Sequence, residues 1–352
     1  MNRKVRWNVT AFHLNGFIHG SFPAGSDYDR TELQRSKMRS NMSNLSRKKM
    51  VNLVTLSAAA VLIVLLAVLV PNFLSINNII NVLEQLTTMG MLCLGMTFIL
   101  IIGGIDLSMP AVLMAATVTG AIAMAKGWNF LIGILIIFVV GAVFGCINGL
   151  AISKAKMIPF IVTLSTQIIA NGFAVMVTNS KSIFGLPKPF LVLGMKLGIV
   201  PIAIPIFFAV ALISHFFLSK TKIGRIFYMI GQNEQTAKVS GIPTDKYKFT
   251  AYILASFYAG LAGILLAART NMAGATMVGN TMLTDTISAA VIGGASLSGG
   301  KGNILGSVLG ALFITLISNF INLMGLSYYV GLIIKGVLII AIIALDRLRN
   351  QN

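Results

Sequence analysis

Residues 128–152 read WNFLIGILIIFVVGAVFGCINGLAI, with no Asp, Glu, Lys or Arg among them. A helix rises about 1.5 Å per residue, so this run is long enough to cross a hydrocarbon layer about 30 Å thick. Lys126-Gly127 precedes it and Lys154 and Lys156 follow it, so charge punctuates both ends. Lipid offers no water to a bare peptide group, and a helix satisfies its backbone internally. The stretch is therefore expected to be a membrane-crossing helix.

The same pattern recurs on either side. Apolar runs expected to span lie at 51–70, 79–102, 110–125, 158–177, 199–218, 249–268, 304–323 and 328–345. Residues 277–297 are apolar but broken by Asp285, Gly293 and Gly294; they are expected either to cross as a further span or to dip in and return. The fold class expected is all-α: a polytopic transmembrane helical bundle of about ten spans, with N and C termini cytoplasmic. Residues 1–49 are expected to form a basic, flexible tail, 50–346 the transmembrane domain with a polar inner loop at 219–248, and 347–352 a cytoplasmic C-terminal tail.

Composition excludes a water-soluble globular domain. Only 10% of residues are charged and 56% are hydrophobic, where soluble domains carry roughly 25% charge. The net charge of +18 is not a nucleic-acid footprint, because Lys and Arg sit almost entirely in 3–49, 154–156, 181–196, 220–248 and 347–349. Basic residues held between apolar runs mark cytoplasmic loops. With the N-terminus inside, ten crossings bring Lys154/Lys156, the 219–248 loop and the Arg347/Arg349 tail to the inside together. No secretory signal is legible in the polar first 48 residues. Met38 and Met42 lie just before Ser46-Arg47-Lys48-Lys49, and translation is expected to start there; an N-terminal sequence beginning at Met1 would overturn this.

Chemistry-bearing residues are sparse. Cys93 and Cys146 sit inside apolar runs and read as small buried hydrophobes. His13, His19 and His215 are far apart, so no metal site is expected. Three acids lie in or beside spans: Glu84, Asp106 and Asp285. A carboxylate in hydrocarbon is expensive, so each faces a pathway, a partner or a helix end. Asp106 precedes Leu107-Ser108 and is placed to cap the next helix, Asp285 to act similarly, and Glu84 to reach the interface. The segment Gly103-Gly104-Ile105-Asp106-Leu107-Ser108 is echoed by Gly293-Gly294-Ala295-Ser296-Leu297-Ser298. Such repeats mark broken helices near a transport path, but Gly-rich segments also recur because small residues let helices pack closely.

No Ser/His/Asp grouping, HExxH, Cys/His cluster or Walker A loop occurs, so neither catalysis nor nucleotide hydrolysis is expected of this chain. The 219–248 loop contains a short predicted helix, Gln232 to Val239, ended by Ser240-Gly241. It suits docking into a partner's groove, and equally a basic loop lying on anionic lipid.

Ordered motifs then point to a family. They are GMTF (95–98) running to GGIDLS (103–108), GR (224–225) to GQNE (231–234), Ala237, SGI (240–242), AGLAG (259–263), AAR (267–269), ISAAVIGGASLSGGKG (287–302) and Gly306 to Gly310. On these the chain resembles the ribose/galactose-type permease subunits of bacterial ABC importers, related to the branched-chain amino acid permeases, over about 50–346. The resemblance implies a multi-pass protein of the bacterial plasma (inner) membrane that translocates a small polar solute, foremost a monosaccharide. It implies a pathway shared with a second permease copy or a paralogue. It implies a coupling helix, built from Gly231, Asn233, Glu234, Ala237, Ser240 and Gly241, docked to a separate ATP-binding subunit that holds the ATP and Mg. A periplasmic or lipid-anchored solute-binding protein would deliver the solute. No cofactor is expected in this chain, and candidates for the pathway or helix junctions are Glu84, Gly103, Gly104, Asp106, Ser108, Asp285, Gly293 and Gly294. The chain departs from the family at Met109-Pro110, at Met282-Leu283-Thr284-Asp285, where a Glu is lost, and at Gly331. A stand-alone secondary transporter or channel is the competing class, since buried acids and a repeat fit it too.

Overall fold

The computed structural model describes residues 70–337 apart from 280 and 328, together with 64 and 340. The expected tail at 1–49, the span at 51–70 apart from residues 64 and 70, and the end of the chain after 340 lie outside these residues. In chain order come α1 (Ile76–Ile101), α2 (Met109–Ala125), α3 (Phe130–Ser153) and α4 (Pro159–Thr178). A connecting segment follows with β1 (Ile183–Phe184), α5 (Lys188–Leu191), β2 (Lys196–Leu197) and β3 (Val200–Pro201). Then come α6 (Ala203–Lys220), α7 (Lys222–Gln232), α8 (Glu234–Val239), α9 (Thr244–Thr270), β4 (Met272–Ala273), α10 (Met282–Ile292) and α11 (Ile304–Leu323). Residues 329–337 are helical as well. Six of these helices are long and apolar enough to cross a membrane: α1, α3, α4, α6, α9 and α11.

Local chemistry sets many of the helix ends. Ser75 and Asn129 cap α1 and α3, accepting from the N–H groups of Asn78 and Leu131 at 3.3 and 2.9 Å. Asn303 caps α11 through the Gly306 N–H at 2.7 Å. These side chains replace the carbonyls that a first turn lacks. Pro110 and Pro159 fall in the first turns of α2 and α4, where no amide hydrogen is needed. The Pro110 departure thus leaves that helix start intact.

Apolarity does not mark the core. The window of α1 is 89% buried and that of α9 78%, whereas α4 and the more apolar α3 are each only 28% buried. Leu131, Leu135, Val139 and Val143 on α3 are exposed, the face a helix turns to lipid. The core forms where α9 packs on α1 and α3, α2 on α3 and α4, and α11 on α1 and α10. Small residues permit the closest approaches. A Cβ on Gly145 of α3 would lie 2.6 Å from the Ser256 Oγ of α9, and one on Gly310 of α11 would lie 2.0 Å from the Ala289 carbonyl oxygen of α10.

Contacts between helix ends sort them into two faces. On one, Lys156 pairs with Asp245, joining the end of α3 to the start of α9. On the other, the amides of Asn78 and Asn319 bond reciprocally at 3.1 and 2.8 Å, joining the start of α1 to the end of α11. There too β1 pairs with β4, and the Leu186 N–H donates to Asn271 Oδ1 at 3.1 Å. The lysine-rich loops 154–156 and 220–248 share the first face.

The segment expected at 277–297 is neither a full helix nor a simple return. Its helix, α10, has 11 residues, about 16 Å or half a bilayer core. It starts beside the end of α9, and the irregular run 293–303 carries the chain on to the end of α1, where the Gly300 N–H donates to the Ile101 carbonyl at 2.9 Å. Irregular backbone at this depth survives because it is buried in protein and bonds internally, as with Ser296 N–H to Lys301 O at 3.1 Å.

Candidate functional site

The polar loop of the lysine-rich face is two helices, not one. Thr221 caps α7 through the Gly224 N–H at 3.1 Å. Buried Phe227 and Ile230 fasten it to the bundle, Phe227 meeting Phe98 edge-on at 6.2 Å between ring centroids. Gln232 ends this helix rather than beginning the next. Asn233 is the cap, its Oδ1 accepting from Thr236 N–H at 2.9 Å, and α8 starts at Glu234. The start expected at Gln232 is corrected because Asn233 adopts an extended conformation that interrupts the helix.

Each residue expected in the coupling helix has a distinct place. Ala237 is the buried foot of α8. Ser240 Oγ donates to the Thr236 carbonyl at 2.9 Å. Gly241 has φ +77° and closes the helix: its N–H bonds Lys238 O at 2.9 Å while Ile242 N–H bonds Ala237 O at 3.1 Å. That double bond requires a left-handed residue, which glycine supplies at least cost. Glu234 pairs with Lys238 at 2.8 Å and with Lys248 of α9. Partial burial pushes its carboxyl up, but the hydrogen bonds and charges of these lysines outweigh that and bring it down to about 2. The outward face of α8 is made by Gln235, Lys238 and Val239, the last 89% exposed. Sequence reading missed these three; the signal available was their position opposite Ala237.

Gly231 is not on that face. It is wedged into the bundle, where an added Cβ would sit 1.8 Å from the Ile101 carbonyl oxygen and 2.4 Å from the Gly300 nitrogen. Tyr228, one turn earlier, donates its hydroxyl to the Gly302 carbonyl at 2.7 Å. A Cβ on Gly299 would in turn lie 2.6 Å from Gly231 O and 2.9 Å from the Gly103 Cα. The loop helices therefore bear on the last residues of α1 and on the turn between α10 and α11 at one point.

The two Gly-Gly echoes are one structural device shifted by a residue. Gly103 (φ +78°) and Gly294 (φ +90°) each end a helix. Gly103 and Gly104 donate to Leu100 O and Ile99 O, both at 2.9 Å; Gly294 and Ala295 donate to Val291 O and Ala290 O at 2.8 and 2.9 Å. A side chain then closes the following turn in both copies. Asp106 Oδ1 accepts from Ser108 N–H at 2.9 Å, and Ser296 Oγ from Ser298 N–H at 3.2 Å. The first copy extends into a buried chain of bonds. Ser108 Oγ donates to Asp106 at 2.5 Å, Asn148 Nδ2 to Ser108 at 2.9 Å, and Thr166 Oγ1 to Asn148 at 2.6 Å. Asp106 thus locks α2, α3 and α4 at a helix junction.

Glu84 and Asp285 lie elsewhere, toward the opposite face. Asp285 Oδ2 takes the Lys335 ammonium at 2.7 Å, and Glu84 lies within electrostatic reach of Arg269. Asp285 and Arg269 line a cavity of about 230 Å³ bounded by α1, α9, α10 and α11, with Gln85, Thr88, Thr315 and Ser318 on its wall.

A bundle of membrane-crossing helices with a broken helix, a cavity toward one face and a pair of loop helices on the other is an architecture that transport proteins use. The chain belongs to the family described as branched-chain amino acid transport system / permease component, whose pattern matches residues 78–343. It is 38% identical over 294 residues to the ribose import permease protein of Bacillus subtilis, covering 82% of this chain and 91% of that protein. It is 33% identical over 282 residues to the D-allose transport system permease protein of Escherichia coli, covering 79% and 86%. The L-arabinose transport system permease protein of the same organism is 32% identical over 294 residues, covering 83% and 89%. No solved structure matches the chain.

Proposed function

We propose that this chain is the membrane-spanning permease subunit of an ATP-driven importer of a monosaccharide. The observation that carries the reading is α8, a capped helix presented outward between two spans, whose neighbour α7 is fastened to the ends of α1 and of the α10–α11 turn. Relatives named for ribose, allose and L-arabinose transport support the substrate class. The lysine-rich face is cytoplasmic by the positive-inside rule. With α10 and the run after it counted as one crossing, the chain crosses ten times, and both termini are cytoplasmic. Glu234, Asn233, Ala237, Ser240 and Gly241 build the dock for a separate ATP-binding subunit, which holds ATP and Mg. A solute-binding protein docks on the opposite face, and a second permease, identical or paralogous, completes the pathway in the bacterial plasma membrane. Closure of the ATP-binding subunits moves α8, and the glycine contacts pass that motion to α1 and α10.

The test is uptake of radiolabelled D-ribose, D-allose and L-arabinose by proteoliposomes holding this chain with its ATP-binding subunit and binding protein. Concentrative uptake that requires all three components is expected. Uptake driven by a proton gradient without the ATP-binding subunit would place the chain among secondary carriers instead.

A further inference from the structure

We infer that the corner where α6 meets α7 is a binding site for the headgroup of an anionic phospholipid, built by Lys220, Lys222 and Arg225. It depends on the chain's place in the membrane and not on the solute carried.

The depth of the site comes from α6. Its 18 residues rise about 27 Å, close to the full hydrocarbon thickness of about 30 Å, and Lys220 is the last of them. α6 is also a peripheral helix, its window only 33% buried. Leu212, Ile213 and Phe216 are 57%, 68% and 52% exposed, and the helical turn puts Lys220 on the same side. A stripe that faces acyl chains therefore ends in an ammonium at the height of the headgroups. There a lysine keeps its stem in hydrocarbon and its charge outside.

The chain then turns at Thr221 and α7 begins. Buried Phe227 and Ile230 take its inner side. Lys222, Arg225 and Met229, at spacings of three and four, share the outer side, and all three are exposed. Arg225 Nη1 donates to the Lys220 carbonyl at 3.3 Å, which ties its guanidinium to the same corner. Cations flanked by exposed apolar side chains match a molecule that joins a phosphate to acyl chains. A guanidinium takes phosphate oxygens in pairs, and the lysines add point charge.

No carboxylate among the described residues neutralises these three cations. Glu234 pairs with Lys238 and Lys248, Asp245 with Lys156, and Asp285 with Lys335. Asp106 is buried against Ser108, and Glu84 lies near Arg269. The counter-charge must come from outside, and the cytoplasmic leaflet supplies it as anionic lipid. An acidic protein partner is the other class of occupant, but the lipid-facing stripe that runs unbroken into Lys220 favours lipid.

The test is native mass spectrometry of the full-length chain in neutral detergent, mixed with dioleoyl phosphatidylglycerol or with net-neutral dioleoyl phosphatidylcholine. A basic residue near the surface strengthens the hold on anionic lipid about fivefold. Wild type is expected to retain phosphatidylglycerol over phosphatidylcholine by at least that factor. Lys220→Gln/Lys222→Gln removes two ammoniums that bond nothing among the described residues. It is expected to unfold at the wild-type temperature and to lose at least about fivefold of the preference. Lys181→Gln/Lys188→Gln, two exposed lysines of the segment between α4 and α6, is expected to leave the preference unchanged. A preference that survives Lys220→Gln/Lys222→Gln/Arg225→Gln would overturn the site, and so would displacement of the lipid by an equal concentration of inorganic phosphate. Loss of the ATP-binding subunit from the double variant, with lipid preference intact, would give this face to that partner instead.

Discussion

Replacing Gly231 by alanine tests whether motion of the loop helices reaches the transmembrane core. The added Cβ would meet Ile101 O at 1.8 Å and Gly300 N at 2.4 Å, both backbone atoms that cannot swing aside. Relief without withdrawing α7 requires Ile101 and Gly300 to be pushed aside by more than an ångström, which opens the Gly300 N–H to Ile101 O bond between them. Overpacking costs about 1–3 kcal/mol, and the lost bond adds about 1 kcal/mol. A misfit of about 2–4 kcal/mol is tolerable for a buried domain of this size. It corresponds, at about 1.4 kcal/mol per factor of ten, to about 30- to 1,000-fold in an equilibrium or rate that depends on the junction. In reconstituted importer, Gly231→Ala is expected to keep the ATP-binding subunit attached and hydrolysing ATP while sugar uptake falls more than tenfold. Gly172→Ala on α4, where a Cβ meets nothing within 4 Å, serves as the control and is expected to behave as wild type. Wild-type coupling in Gly231→Ala would refute the reasoning, because no packing so tight could then lie on the path of the motion.

Glu234→Lys removes two ion pairs from a group about a third exposed, worth at most about 1 kcal/mol of loop stability; the protein is expected to insert normally but to uncouple ATP hydrolysis from uptake, and normal uptake would count against the dock. Because the Glu234 carboxyl is lowered to about 2, its contribution is complete above the ordinary carboxylate value and is lost only as pH falls through about 2. Uptake between pH 5 and 8 is therefore expected to show no inflection that Glu234→Gln abolishes. Asn148→Leu strands the Thr166 hydroxyl of the buried junction and removes the donor to Ser108; it is expected to destabilise by about 1–3 kcal/mol, read as a lowered thermal midpoint in detergent. Lys335→Met leaves Asp285 charged and alone, a loss of about 3–5 kcal/mol, and adding Asp285→Asn is expected to recover most of it; a double variant as unstable as Lys335→Met would show that the pair is not the cause.

Much of the architecture is written locally. The run at 304–323 coincides with α11, and 110–125 and 158–177 fall within a residue of α2 and α4. A bilayer demands long apolar runs with internally bonded backbone, so run length alone reveals the spans. Caps and stops such as Asn303, Pro159 and Gly241 are equally readable, since they act within one turn of their own position. The Asp106 junction was legible in part for the same reason, though not Asn148 and Thr166, which arrive from other helices.

What only the tertiary structure decided depends on partners distant in the chain. In lipid, greasiness does not drive a helix inward, so the most apolar helix, α3, lies outside while α1, with its threonines and glycines, lies at the centre. By resemblance Gly231 reads as one residue of a coupling helix, and only the approach of Ile101 and Gly300 makes it a wedge. Thr88 reads as one more threonine in a span, and only the packing around α1 leaves its hydroxyl buried with no hydrogen-bond partner among the described residues. Length, polarity and capping are properties of neighbours along the chain, while burial, wedging and an unpaired hydroxyl exist only once distant helices are packed together.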